Sequence, residues 1–178
     1  MKRRKHSVET LVRVLPHSPD ATLTMYGPDK GDGSLERVRN LARQHGIDSR
    51  VVIAGRIEKS MVPECLNRHD IFLNTTRYES FGVAIMEAAA SGLPIVTTAV
   101  GEIPYLWHDG ENALLVPDGD AEAMANAVVR ILQEPGLAGT LSRNAGRKAE
   151  SYDWSVVLPQ WEKLYNSTLS QGLLPEGH

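Results

Sequence analysis

Short apolar runs alternate with stretches of helical periodicity between residues 8 and 133, and this alternation constrains the fold more than any other feature of the chain. Strands separated by helix-length connections pair in parallel, with each crossover helix lying on a face of the sheet. Strands are predicted over Thr22–Tyr26, Val51–Ala54, Ile71–Leu73, Ile95–Thr98 and Ala113–Val116. The Val51–Ala54 and Ile71–Leu73 runs are apolar without a break, as expected of strands buried on both faces. A first helix carries Val8, Leu11, Val12 and Leu15, with Ser7 placed to cap it and Pro16 at its end. Further helices are predicted over 35–45 with Gly46 after it, and over 61–67, 81–90 and 104–107. Asp120 is a good N-cap for a helix over 121–133, and helices over 137–151 and 155–169 follow. Residues 1–170 thus read as one α/β domain with a parallel sheet and helices on both faces, and 171–178 as a tail. Sheets of this kind bind ligands at the C-terminal ends of their strands, near the point where strand order reverses.

Composition removes several alternatives. Lys and Arg number 19 against 22 Asp and Glu, a net charge of −3, which argues against a nucleic-acid partner gripped by bulk phosphate neutralisation. Cys65 is the only cysteine, so an internal disulfide and a cysteine-based zinc cluster are excluded, and a reducing compartment, the cytoplasm, is the simplest location. No apolar run approaches the roughly 20 residues that span a bilayer, and the basic start Met1–Lys5 is not followed by an apolar signal core.

The stretch Asn74–Glu87 is the richest in chemistry. A strand ends near Thr75, the loop carries Glu79, and a helix opens near Phe81-Gly82. Unpaired backbone N–H groups and the helix dipole favour an anion there, and Gly82 lets a phosphate approach the backbone. Glu87 falls in the second turn among Met86 and Ala88–Ala90, where a carboxylate needs a partner, and ribose hydroxyls are suitable donors. The plainer alternative makes Glu79 a loop charge and places Glu87 on a solvated helix face. Asp118-Gly119-Asp120 matches a metal-binding Asp-x-Asp pattern, but its position before a helix reads as a turn and a cap. The histidines have no zinc-ligand spacing, and Trp107, Trp154 and Trp161 read as packing anchors.

Glu79-Ser-Phe-Gly-Val-Ala-Ile-Met-Glu87 resembles the E-x7-E motif of retaining glycosyltransferases with the GT-B fold, most closely those of family 4. Val52–Ile57, Asp70–Leu73, Glu87–Val96, Gly110–Pro117 and Tyr152–Ser155 follow in that family's order and spacing, so the resemblance covers about residues 5–165. It implies the Rossmann-like C-terminal half of such an enzyme, which binds a UDP- or GDP-sugar. Glu87 would hold the ribose hydroxyls and Glu79 would lie near the donor sugar and its phosphate. Backbone amides around Ser80, Phe81, Gly82 and Val83 would meet the sugar and diphosphate, and Gly55-Arg56-Ile57 would lie against the base. The family stabilises the leaving diphosphate with an arginine and a lysine, so no metal and no cofactor are expected, and Lys5 is the candidate for that lysine. The sequence departs from the pattern at three places. No strand and no Gly-Arg pair precede Lys5, the acceptor-binding N-terminal half has no counterpart, and Gly101-Glu102…Tyr105 stands where the family has Gly-Gly and a later glutamate.

The resemblance therefore implies a glycosyltransferase fragment that binds the donor while an absent N-terminal domain or a partner subunit holds the acceptor. The chain alone is expected to be inactive. A non-catalytic nucleotide-sugar-binding module, or one subunit of a two-chain enzyme, is the alternative, and an unrelated flavodoxin-like nucleotide binder a third. Strand order separates the last from the rest, because a GT-B half has order 3-2-(1)-4-5-6 with the first strand here expected to be absent. An open sheet edge could recruit a second copy of the chain as a homodimer. The last helix, with Val156, Val157, Leu158, Trp161, Leu164 and Tyr165, is expected to leave an apolar patch. The parent enzyme could associate peripherally with the cytosolic face of a membrane.

Overall fold

Among the described residues, β-branched and apolar residues between turn-forming glycines make five short strands, and every pairing among them is parallel. The computed structural model describes residues 3–170, with side chains over 5–168, so the expected tail at 171–178 lies outside the described residues. In chain order the elements are α1 (Arg3–Val14), β1 (Leu23–Tyr26), α2 (Ser34–Gln44), β2 (Val51–Gly55), α3 (Val62–Leu66), β3 (Phe72–Asn74), α4 (Val83–Ala90), β4 (Ile95–Thr98), α5 (Ile103–Leu106), β5 (Leu114–Val116), α6 (Ala121–Gln133), α7 (Leu137–Glu150) and α8 (Trp154–Ser170). The strands form two half-sheets, β1-β2 and β3-β4-β5. That arrangement matches the expected order 3-2-(1)-4-5-6, interrupted at the position of its first strand.

Three clusters of apolar side chains build most of the core. Val8 and Leu11 of α1 pack with Val38, Ala42 and Ile47 over β1 and β2. Val14, one turn further along α1, joins Val96, Leu114, Val116 and the inner face of α6 over the other half-sheet. On the opposite side of β3–β5, Ile85 and Met86 of α4 pack with Ile95, Ile103, Trp107 and Ala145. Trp107 is fully buried, as an anchor should be, and its indole N–H lacks an acceptor among the described residues.

Several expectations need correction. Ser7 does not cap α1, because the helix already starts at Arg3, where nothing interrupts helical backbone. Ser7 lies in the second turn instead, buried, with its hydroxyl 3.3 Å from that of Thr75. Neither Val51–Ala54 nor Ile71–Leu73 is buried on both faces. Val52 is 50 % exposed, because β2 is an edge strand whose cover comes from α2 on one face. The residues of β3 are half-buried because the strand borders a cavity. Residues 59–61 form a separate 3-10 turn before α3, and α4 begins only at Val83, since Gly82 is left-handed. Trp154 and Trp161 are exposed at 70 % and 52 % and are not packing anchors. Both belong to the apolar face of α8, which is exposed through Val156, Leu158, Leu164 and Tyr165 as expected. Among the described residues, no helix is long and apolar enough to cross a membrane.

The Asp120 side chain accepts a hydrogen bond from the Ala123 amide at 2.8 Å, the capping contact expected from sequence. Asp120→Ala should lower the unfolding free energy by about 1 kcal/mol in a urea titration, and Asp120→Asn should retain most of the stability.

Candidate functional site

The C-terminal ends of β3 and β4 hold the loop between Thr75 and Gly82. Asn74, the last residue of β3, donates to the Thr97 hydroxyl at 3.0 Å, and the Thr98 hydroxyl donates to the Thr76 carbonyl. Thr76 in turn donates to the Tyr78 carbonyl at 3.0 Å. Gly82 ends the loop in a left-handed conformation, with φ 82° and ψ 55°. Its carbonyl accepts from the Ile85 and Met86 amides, which leaves the N–H groups of Val83 and Ala84 without an intrahelical acceptor. A Cβ at Gly82 would stand 2.9 Å from the Ile85 side chain and 3.3 Å from that of Ile103. The start of α4 is therefore packed tightly against α5 beneath it, while Ser80 and Val83 are exposed above.

Glu79 is fixed mainly through its backbone. Gly101 lies so close that a Cβ there would sit 2.0 Å from the Glu79 carbonyl oxygen, and the Glu102 amide donates to that same oxygen at 3.1 Å. The contact uses only the backbone N–H of Glu102, which any residue other than proline supplies. The Glu79 carboxylate accepts the amide of Ser80 at 3.2 Å. Phe81 meets Tyr152 edge to face at 5.3 Å, and Arg77 pairs with Asp118 at 2.8 Å. Asp118 and Asp120 are thus engaged as an ion-pair partner and a helix cap.

Glu87 projects from the second turn of α4 into a cavity of about 710 Å³ whose wall also includes Ile57, Thr75 and Thr76. The carboxylate is half-buried. The structure thereby brings together Glu87 and Ile57, which are separated in sequence and belong to different half-sheets. Gly55 is left-handed at the end of β2 and Arg56 is exposed. Gly55 has no atom within 4 Å of its Cβ position, so its backbone is open to an approaching group.

Lys5 sits in the first turns of α1, and among the described residues its ammonium pairs with Glu9 at 2.7 Å. His6 reaches the other carboxylate oxygen of Glu9 at 3.1 Å and lines a small cleft with Thr75, Thr98 and Gly119. Burial pushes the Glu9 carboxyl up, but Lys5 and His6 outweigh it and hold the group below its ordinary 4.5. The contact of Ser7 with Thr75 brings this end of α1 to the strand ends. His6 and Thr98 were not singled out from sequence, and the position of Thr98 at a strand terminus was the available signal.

Glu87 in the cavity wall, exposed amides at a helix start and an open glycine at the end of β2 suit a ligand with an anionic centre and hydroxyl groups. The family model described as glycosyl transferases group 1 matches residues 1–134. D-inositol 3-phosphate glycosyltransferase of Corynebacterium glutamicum is 25 % identical over 166 residues, which is 92 % of this chain and 40 % of that protein. The chain thus spans about two fifths of the length of this curated relative. The C-terminal domain of a glycosyl transferase group 1 family protein from Francisella tularensis superimposes with a TM-score of 0.76 at 21 % identity, covering 85 % of this chain and 80 % of that one. HepE of Anabaena, solved with UDP-glucose, shares the fold with a TM-score of 0.82 at 22 % identity over 92 % of this chain and 44 % of its own.

Gly101→Ala should cost about 3 kcal/mol, because the new methyl group meets backbone that cannot move without displacing Glu79. Gly82→Ala should cost about 1–2 kcal/mol through its left-handed backbone, and chemical denaturation ranks the two. The Lys5–Glu9 contact should contribute fully above pH 4.5 and fade as pH falls through the lower folded value. The stability difference between wild type and Lys5→Met should therefore shrink on acidification, measured as thermal midpoints across that range.

Proposed function

The chain belongs to the glycosyl transferases of group 1, and we propose that it is the portion of such an enzyme that grips a nucleoside-diphosphate sugar. One observation carries this reading: Glu87 and Ile57 line one cavity at the C-terminal strand ends, beside the exposed amides that open α4. Glu87 accepts hydrogen bonds from the ribose hydroxyls, and the Gly55-Arg56-Ile57 turn lies against the base. The amides of Phe81, Gly82 and Val83 face the sugar and diphosphate, and Glu79 and Ser80 border the donor sugar. Lys5 leaves Glu9 to neutralise charge on the phosphate. HepE, which holds UDP-glucose, supports a donor of this class through its shared fold alone.

In the transfer, the bond from the anomeric carbon to the diphosphate oxygen breaks, and a bond to an acceptor hydroxyl forms with the configuration retained. The departing group is an anion, so the protein's chief contribution is charge stabilisation by preorganised donors. Lys5 and the α4 amides supply it without a divalent metal. The acceptor is held by a further domain or a partner subunit, and the reaction takes place in the cytoplasm or at the cytosolic face of a membrane.

The second reading is a nucleotide-sugar-binding module without its own turnover. Both readings require binding. In calorimetry with UDP- and GDP-sugars, Glu87→Gln should weaken association by about 1.5–3 kcal/mol, roughly tenfold or more, with little change in stability. Equal affinity of the variant and wild type would remove the ribose role. Sugar transfer by the purified chain would eliminate the second reading.

A further inference from the structure

The first turns of α1 hold a charged cluster that the donor reading uses only in part. Lys5 and His6 share Glu9, the ammonium lying 2.7 Å from one carboxylate oxygen and the imidazole Nδ1 3.1 Å from the other. A carboxylate only accepts hydrogen bonds, so Nδ1 carries a hydrogen and Nε2 is the ring nitrogen left for another partner. Nε2 lies toward the strand ends. A Cβ at Gly119 would stand 3.9 Å from it, and the residue lines a cleft with Thr75 and Thr98. The cleft measures about 10 Å³, room for a single oxygen atom. Thr10 and Thr75 line both this cleft and the cavity that receives Glu87, so His6 borders the donor cavity from the side of α1.

The two cations are held differently. The Lys5 side chain is 51 % exposed and that of His6 17 %. Lys5 must give up Glu9 and order a flexible stem before it meets a ligand. The His6 ring is already fixed by Glu9, and its backbone carbonyl accepts the Thr10 hydroxyl at 2.8 Å. When Lys5 leaves, His6 remains the partner of a largely buried carboxylate, so no unpaired charge is stranded. Among the described residues, Asp120 faces the same cleft from the start of α6, where it caps the Ala123 amide, and Asp118 beside it is held by Arg77. The strand ends add neutral groups, Thr75 and Thr98.

We propose that His6 is a second cation for the donor diphosphate, its Nε2–H meeting one phosphate oxygen at the mouth of the cleft, with Glu9 as the positioning residue that holds the ring. The assignment rests on the donor reading above and makes donor binding depend on a proton. With Nδ1–H turned to Glu9, the neutral ring presents a lone pair at Nε2, and only the protonated ring presents a donor there. Imidazole is the side chain whose charge ordinarily changes between pH 5 and 8. A sugar diphosphate esterified at both ends has no phosphate that titrates in this range, so the pH dependence of its binding reports the protein. Affinity is highest where His6 is protonated and falls as pH rises.

The full chain is titrated with UDP-glucose and with GDP-mannose by calorimetry between about pH 5.5 and about pH 8. Wild type should lose about tenfold in affinity across the range, the value of one charged hydrogen bond. His6→Gln, with an N–H near the Nε2 position but no charge, should bind weakly at every pH. His6→Lys, with a fixed charge, should bind tightly at every pH. Nitrogen-15 NMR should show the neutral His6 ring as the Nδ1–H tautomer in wild type and as a mixture in Glu9→Gln, a signature that a merely structural contact would not produce. Glu87→Gln should weaken binding by the same factor at every pH, so the ribose and phosphate assignments fail separately. A wild-type affinity that does not change with pH, a pH profile that survives in His6→Gln, or an Nε2–H tautomer in wild type would overturn this proposal and leave the donor reading standing. Absence of binding at every pH would overturn both.

Discussion

Helix α1 joins two half-sheets that do not hydrogen-bond to each other. Its apolar stripe is divided along its length, Val8 and Leu11 entering the core over β1-β2 and Val14 the core over β3–β5. Apolar burial is non-directional and proportional to area, so one helix face can serve both cores provided both lie beneath it. A second tie between the halves is polar, the Tyr26 hydroxyl of β1 lying 3.0 Å from the His69 ring nitrogen, in the turn before β3. The relative placement of β2 and β3, and with it the meeting of Ile57 and Glu87, depends on these two contacts.

The loop from Thr75 to Gly82 depends on β4 and on the turn at its C-terminal end. Thr97 and Thr98 anchor the near end of the loop through Asn74 and Thr76, and the Gly101-Glu102 backbone holds Glu79 from the side. Such contacts are directional, and each exists only because parallel pairing of β3 with β4 brings equivalent strand ends level. A buried platform thus carries an exposed row of amides, which is the division of labour expected where a rigid scaffold presents a binding loop.

Much of this organisation was legible in the residues. Asp120 before Ala121–Gln133 marked a helix start that the structure reproduces to the residue, because a cap acts locally through one side chain and one amide. The division between β1-β2 and β3-β4-β5 followed from strand order together with the expected absence of one strand. Ser7 was misread because a capping residue inside a longer helix looks the same in sequence as one at its start. Val52 was misread because an apolar run has the same composition whether one face is covered or two. The exposure of Trp154 and Trp161 escaped the same way, since an aromatic residue at helical spacing does not specify its partner.

The amino-acid sequence alone determined which segments are strands and helices, that the strands run in parallel, and that Glu79 and Glu87 flank a helix start. These are consequences of periodicity, turn chemistry and capping, which act over a few residues. Only the tertiary structure decided that Ile57 shares a wall with Glu87, that Lys5 rests on Glu9, and that Gly101 presses on the Glu79 carbonyl. Apart from the Lys5 pair, those relations join residues far apart in the chain. They are set by how apolar faces of α1, α3 and α4 find common cover, which no local pattern encodes.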